Sequence, residues 1–147
     1  MEIIIISIGL LIDRLTKLGA LKTLAKGEDV EVIKNFFNLA YLENKGAAFG
    51  IFQNKQIYLS IVTLIVVLGM LYYLFKYKPE DKILRISFSL IISGAIGNMY
   101  DRLVYKFVVD FIQIHYKGHY FPTFNVADSL VVIGTCLLAI SVIKEGK

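Results

Sequence analysis

The sequence predicts an all-α membrane protein of four transmembrane helices, with a small extracytoplasmic β-sheet between helices 1 and 2. Three observations lead there. Of the 147 residues, 56% are hydrophobic and the mean hydropathy is +0.65, too apolar for an ordinary soluble fold. Residues 3–21, 57–75, 83–100 and 126–143 each have the length to cross a hydrocarbon core of roughly 30 Å, which takes about 20 helical residues. The polar segments between them carry no internal repeat and no low-complexity run, so residues 1–147 read as one integral membrane domain.

The first apolar segment is interrupted by Asp13, Arg14 and Lys17. Its opening residues resemble the apolar core of a secretory signal. No basic stretch precedes them and no small-residue cleavage site follows, so the segment is read as a retained helix. Residues 23–55 are polar enough to leave the bilayer. Within them "VEVI" and "FFNLAYLEN" have strand-like composition and "NKG" supplies turn residues, which predicts a small sheet resting on the membrane surface. The second segment is uniformly apolar, and the third contains Arg85 and Asn98. Residues 103–125 form a mixed connection, aromatic and β-branched, punctuated by Gly118 and Pro122, with rings suited to the membrane interface. The fourth segment contains Cys136, the only cysteine. No disulfide or thiolate metal cage can form within one chain, and a buried, inert thiol is expected.

Net charge is +4, but its distribution says more. Lys76, Lys78, Lys82 and Arg85 sit between the second and third segments, and Lys144 and Lys147 follow the fourth. The positive-inside rule makes these regions cytoplasmic, although the first connection also carries Lys22, Lys26, Lys34, Lys45 and Lys55. Both termini then lie inside and both long connections face the outer side. The basic residues form no stripe interleaved with aromatics on a soluble face, so nucleic acid is not expected as a partner.

An ionisable group at membrane depth costs about 2.5 kcal/mol or more, so it needs a partner or a purpose. Asp13 and Lys17 in "DRLTK" are four apart, acid first, the favourable order for an ion pair on a helix. In "GNMYDR", Asn98 and Asp101 share a face, and Arg102 can pair with a carboxylate, which favours a scaffold role for Asp101. Asp110 in "VVDF" has no basic residue within three positions on either side. In "FNVADS", Asn125 can cap the last helix alone, leaving Asp128 free for something else. If Asp110 and Asp128 meet at the bilayer surface they cannot both stay ionised. An ionised member could activate a water while a protonated member polarises a scissile carbonyl.

Competing chemistries are thinner. A Ser/His/Asp triad lacks a well-placed histidine, because His115 and His119 both lie in the outer connection. Those two have no cysteine or carboxylate to complete a metal set, so no metal or cofactor is expected. A Ser/Lys dyad has no serine in a nucleophile-like turn. A proton-coupled transporter or channel subunit would also carry intramembrane carboxyls, but there is no inverted repeat or broken-helix pair. A purely structural four-helix scaffold is the third alternative.

"DRLTK", "NKGAAFG", "GNMYDR", "VVDF" and "FNVADS", in this order along nearly the whole chain, resemble the lipoprotein signal peptidase (signal peptidase II) family. The resemblance implies a membrane-embedded aspartic endopeptidase that removes signal peptides from bacterial prolipoproteins, cleaving before the diacylglyceryl-modified cysteine. It implies Asp110 and Asp128 as the catalytic pair, supported by Asp13, Lys17, Asn44, Gly46, Asn98, Asp101, Arg102, Asn125 and Ala127. It further implies a monomer in the bacterial cytoplasmic membrane, in contact with membrane lipid, its active site toward the extracytoplasmic face. The stretch "HYKGHYFPTFN" matches the family pattern only in its last residues.

Overall fold

The structure is a computed structural model and describes residues 1–46 and 52–145. Residues 47–50 of the "NKGAAFG" stretch and Lys147 of the basic tail lie outside the described residues. Four helices dominate: α1 (Glu2–Thr23), α2 (Gln56–Tyr77), α3 (Lys82–Val104) and α4 (Val126–Glu145). Each contains the apolar segment expected at its place and overruns it by a few residues, because backbone hydrogen bonding continues past the apolar boundary. Among the described residues, α2, α3 and α4 up to Lys144 are long and apolar enough to cross a membrane. α1 is as long as α2, at 22 residues, but carries its charges mid-helix.

The bundle is apolar outside and polar within. α1 turns Gly9, Asp13, Lys17 and Ala20 inward at helical spacing, while Ile3, Ile4, Leu11 and Leu15 are exposed. α2 and α4 expose Ile57, Ile65, Val132 and Ile133 in the same way. That reverses the pattern of a soluble bundle and suits lipid tails as solvent, where polar groups must find partners inside the protein. Cys136 belongs to this outward face of α4: it is exposed, not buried as expected.

α3 is the central helix, packed against α1, α2 and α4. Its glycines permit this. A Cβ on Gly94 would collide with the carbonyl oxygen of Ala127, and one on Gly97 would lie 2.5 Å from Asp13 Oδ2. At the start of α3, Asp81 caps the helix by accepting from the backbone of Ile83 (2.9 Å) and Leu84 (3.3 Å). Arg85, read from the sequence as a charge inside the third segment, lies in this first turn and pairs with Glu2.

At the other end of the bundle lies a four-stranded antiparallel sheet in the order β1 (Val30–Ile33), β2 (Phe37–Asn44), β3 (Val108–Tyr116), β4 (His119–Tyr120). The sheet is therefore not confined to the connection between α1 and α2. Half its strands come from the α3–α4 connection. Val108, Val109, Asp110 and Phe111 are all buried, so the stretch lacks the alternation that marks a half-exposed strand. Lys117 (φ 48°) and Gly118 (φ 81°) both take positive φ, the condition for the two-residue turn that pairs Tyr116 with His119.

Candidate active site

Strand register brings the first carboxyl into place. Leu42 of β2 lies opposite Asp110 of β3. Asn44, two residues on and so on the same face, reaches diagonally across to donate from Nδ2 to Asp110 Oδ2 at 3.0 Å. The chain then returns through Phe124, whose carbonyl accepts from Phe111 N (3.0 Å) and Ile112 N (2.8 Å). This return sets Asn125 beside Asp110.

Asn125, fully buried, joins the two acids. Its Nδ2 donates to Asp110 Oδ1 at 2.7 Å, and its Oδ1 accepts from Asp128 N at 2.9 Å. Asp128 Oδ2 in turn accepts from Asn125 N at 3.2 Å. The last two bonds form a reciprocal capping box at the start of α4, with aspartate where glutamate is usual. Asn125 thus caps the helix as expected, but Asp128 takes part in the cap as well. The other oxygen of Asp128 accepts from Asn98 Nδ2 at 2.7 Å.

Behind this pair lies a buried ionic layer. Lys17 pairs with Asp13 at 3.0 Å, the expected bridge within α1, and also with Asp101 at 3.0 Å. It donates to Asn98 Oδ1 at 2.9 Å. Asp13 Oδ1 accepts from Ala127 N at 2.9 Å, and Asp101 Oδ2 from Val109 N at 3.2 Å. Ala127 is wholly buried, with its carbonyl against Gly94.

Among the described residues, the anticipated pairing of Arg102 with a carboxylate is not formed. Asp101 faces the opposite way, toward Lys17 and toward Arg14 at 3.5 Å, a residue that sequence reasoning passed over. Arg14 also donates to the hydroxyl of Tyr105 and lies over the rings of Tyr100 and Tyr105. The signal for it was its charge inside the first apolar segment. Arg102 turns instead into a cavity of about 1210 Å³ lined by Asn44, Asn98, Asp110 and Asp128, with Ala95 and Val131 below them. Its Nη2 donates to Gly46 O at 3.3 Å, and its Nε has no partner among the described residues.

Burial, and then the charge of Asp128, push the Asp110 carboxyl up to about 7, against the opposing effect of its bonds from Asn44 and Asn125 and the charge of Lys17. A carboxyl so placed can hold a proton near neutrality. His115 and His119 are not brought together as a metal pair: His115 stacks on Tyr120 and its Nε2 lies 3.3 Å from Asn38 Oδ1.

Two amide-bridged carboxyls line an open cavity, in a bundle with three helices, among the described residues, long and apolar enough to cross a membrane, an arrangement compatible with the chemistry of a membrane aspartic peptidase. The family model described as signal peptidase (SPase) II matches residues 5–144, and the chain belongs to that family. It is 57% identical to the lipoprotein signal peptidase of Clostridium novyi over the full length of both chains. It is 60% identical to that of Clostridium tetani, covering 99% of this chain and 94% of the other. A bacterial membrane enzyme solved by the in meso method at 2.3 Å superposes with a TM-score of 0.92 at 34% identity, covering 99% of this chain and 89% of that one. A second, at 1.9 Å, gives 0.87 at 35% identity, covering 97% and 92%.

Proposed function

We propose that this chain removes signal peptides from bacterial prolipoproteins, hydrolysing the peptide bond before the diacylglyceryl-modified cysteine, with Asp110 and Asp128 as the catalytic pair. The observation that carries this reading is the Asn125 bridge, which holds one carboxyl from the sheet and one from α4 in the wall of the same cavity. Asp110, protonated, donates a hydrogen bond to the scissile carbonyl oxygen. Asp128, ionised, takes a proton from water as that water attacks the carbonyl carbon. Collapse of the tetrahedral intermediate passes the proton from Asp128 to the leaving amine, while the carbonyl re-forms. Asn44, Gly46, Asn98 and Arg102 orient the substrate backbone above the pair, and Asp13, Lys17, Asp101, Asn125 and Ala127 hold the pair in place.

All four helices span the bilayer in this reading. α1 supports it by facing apolar residues outward and Asp13 and Lys17 inward. Lys76, Lys78, Lys82, Arg85 and Lys144 lie toward the end opposite the sheet, and by the positive-inside rule this supports a cytoplasmic position for that end and an extracytoplasmic one for the sheet and active site, at the cytoplasmic membrane. The cavity exceeds the roughly 300–1,000 Å³ of ordinary small-molecule pockets, and its lower wall of Ala95, Val131 and Val132 suits acyl chains. Both carboxyls come from one chain, so a monomer suffices.

The test is cleavage of one prolipoprotein with and without its diacylglyceryl group by the purified protein. Cleavage before the modified cysteine, dependent on the lipid, is expected. Equal cleavage of both forms, or of neither, contradicts the reading.

A further inference from the structure

We propose that Lys17 is a positioning residue for the reaction, a three-way hub that sets the placement of both aspartates without touching substrate. This rests on Asp110 and Asp128 being the reacting pair. Lys17 is wholly buried, and its ammonium has as many acceptors as protons: Asp13 Oδ2, Asp101 Oδ2 and Asn98 Oδ1. Each acceptor makes a second bond that ends beside the site. Asp13 holds the backbone of Ala127, the residue before Asp128. Asp101 holds the backbone of Val109, the residue before Asp110. Asn98 donates directly to Asp128.

The third arm separates this role from simple charge balance. Asp13 and Asp101 already balance Lys17 and Arg14, so charge balance has no need of an amide. With its carbonyl committed to Lys17, Asn98 can present only its NH₂ group to Asp128. Flipped, its oxygen would face a carboxylate oxygen. Asn125, which donates to the same Asn98 oxygen at 3.2 Å, reinforces that orientation. Lys17 is absent from the cavity wall, so losing it lowers turnover and leaves substrate affinity alone.

Two variants test this in the lipid-modified prolipoprotein assay, each first checked for folding by thermal melting in detergent. Lys17→Arg keeps the charge, but a planar guanidinium cannot direct donors to three acceptors arranged around an ammonium. Asp13→Asn with Lys17→Met leaves Asp101 paired to Arg14 and an acceptor for Ala127 N, while removing the hold on Asn98. In each, kcat is expected to fall about tenfold or more with KM within about threefold of wild type. Wild-type kcat in either folded variant overturns the hub, as does a loss carried wholly by KM. If the double variant does not fold, Lys17→Arg decides, since it leaves no buried carboxylate unpaired. Failure of the wild-type chain to cleave would refute the peptidase reading instead, so the two failures are distinct.

Discussion

Asn125 donates to Asp110 across 2.7 Å while capping the helix that carries Asp128. One side chain thereby fixes the separation of two acids that come from a strand and a helix. Serine and alanine at this position separate its two duties. Asn125→Ser keeps a capping oxygen but is too short to reach Asp110, whereas Asn125→Ala loses both functions, with a cap worth about 1 kcal/mol. Both variants are expected to lose turnover about tenfold or more, and only the alanine variant should lose substantial thermal stability. Equal melting losses, or retained turnover in the serine variant, would contradict this division.

Activity should have an alkaline limb near pH 7. Asp110 is pushed up to about 7 by burial and by the charge of Asp128, and the proton it loses there is the one that, in the proposed mechanism, polarises the carbonyl. A kcat profile still rising well above pH 8 would speak against that assignment.

The same carboxyl makes folding stability fall with pH. Between about pH 4, where an exposed aspartate titrates, and about 7, the folded chain keeps a proton that the unfolded chain has released. Stability therefore declines as pH rises through that window and levels off above it, by on the order of 4 kcal/mol. Asp110→Asn should flatten the slope in melts taken from pH 4 to 8.

Close packing on α3 predicts a graded glycine series. Gly94→Ala meets the backbone carbonyl of Ala127 and Gly97→Ala meets the Asp13 carboxylate, so each should lower stability by roughly 1–3 kcal/mol. Gly69→Ala in α2 meets nothing within 4 Å and should be neutral or stabilising by up to about 1 kcal/mol. Thermal melts of the three variants rank them directly.

Arg102 should act on substrate affinity. It lines the cavity, and among the described residues its Nε has no partner. Arg102→Gln is expected to raise KM about tenfold with little change in melting temperature. An unchanged KM would assign the residue to scaffolding.

The helices were legible in the sequence because each contains a long apolar run, and each run appears where it was expected. The inward charges of α1 were legible as well: Asp13 and Lys17 sit at the spacing of a helical ion pair and form one. What could not be read was the meeting of distant segments. β3 was hidden by burial of four consecutive residues, and its register against β2, which decides that Asn44 reaches Asp110, depends on two strands more than sixty positions apart. The partner of Asp101 was missed for the same reason. Its neighbour Arg102 was the nearest cation in sequence, whereas the ones it uses, Lys17 and Arg14, lie on another helix.

The most direct measurement is single-turnover cleavage of a diacylglyceryl-modified prolipoprotein by Asp110→Asn and Asp128→Asn, each confirmed as folded. Both should be almost inactive: Asp128→Asn can neither take a proton from water nor give one to the leaving amine, and Asp110→Asn replaces the carboxylic proton on the carbonyl oxygen with that of a far weaker acid. Near-wild-type cleavage by either folded variant would show that the bridged carboxyls are not the reacting pair.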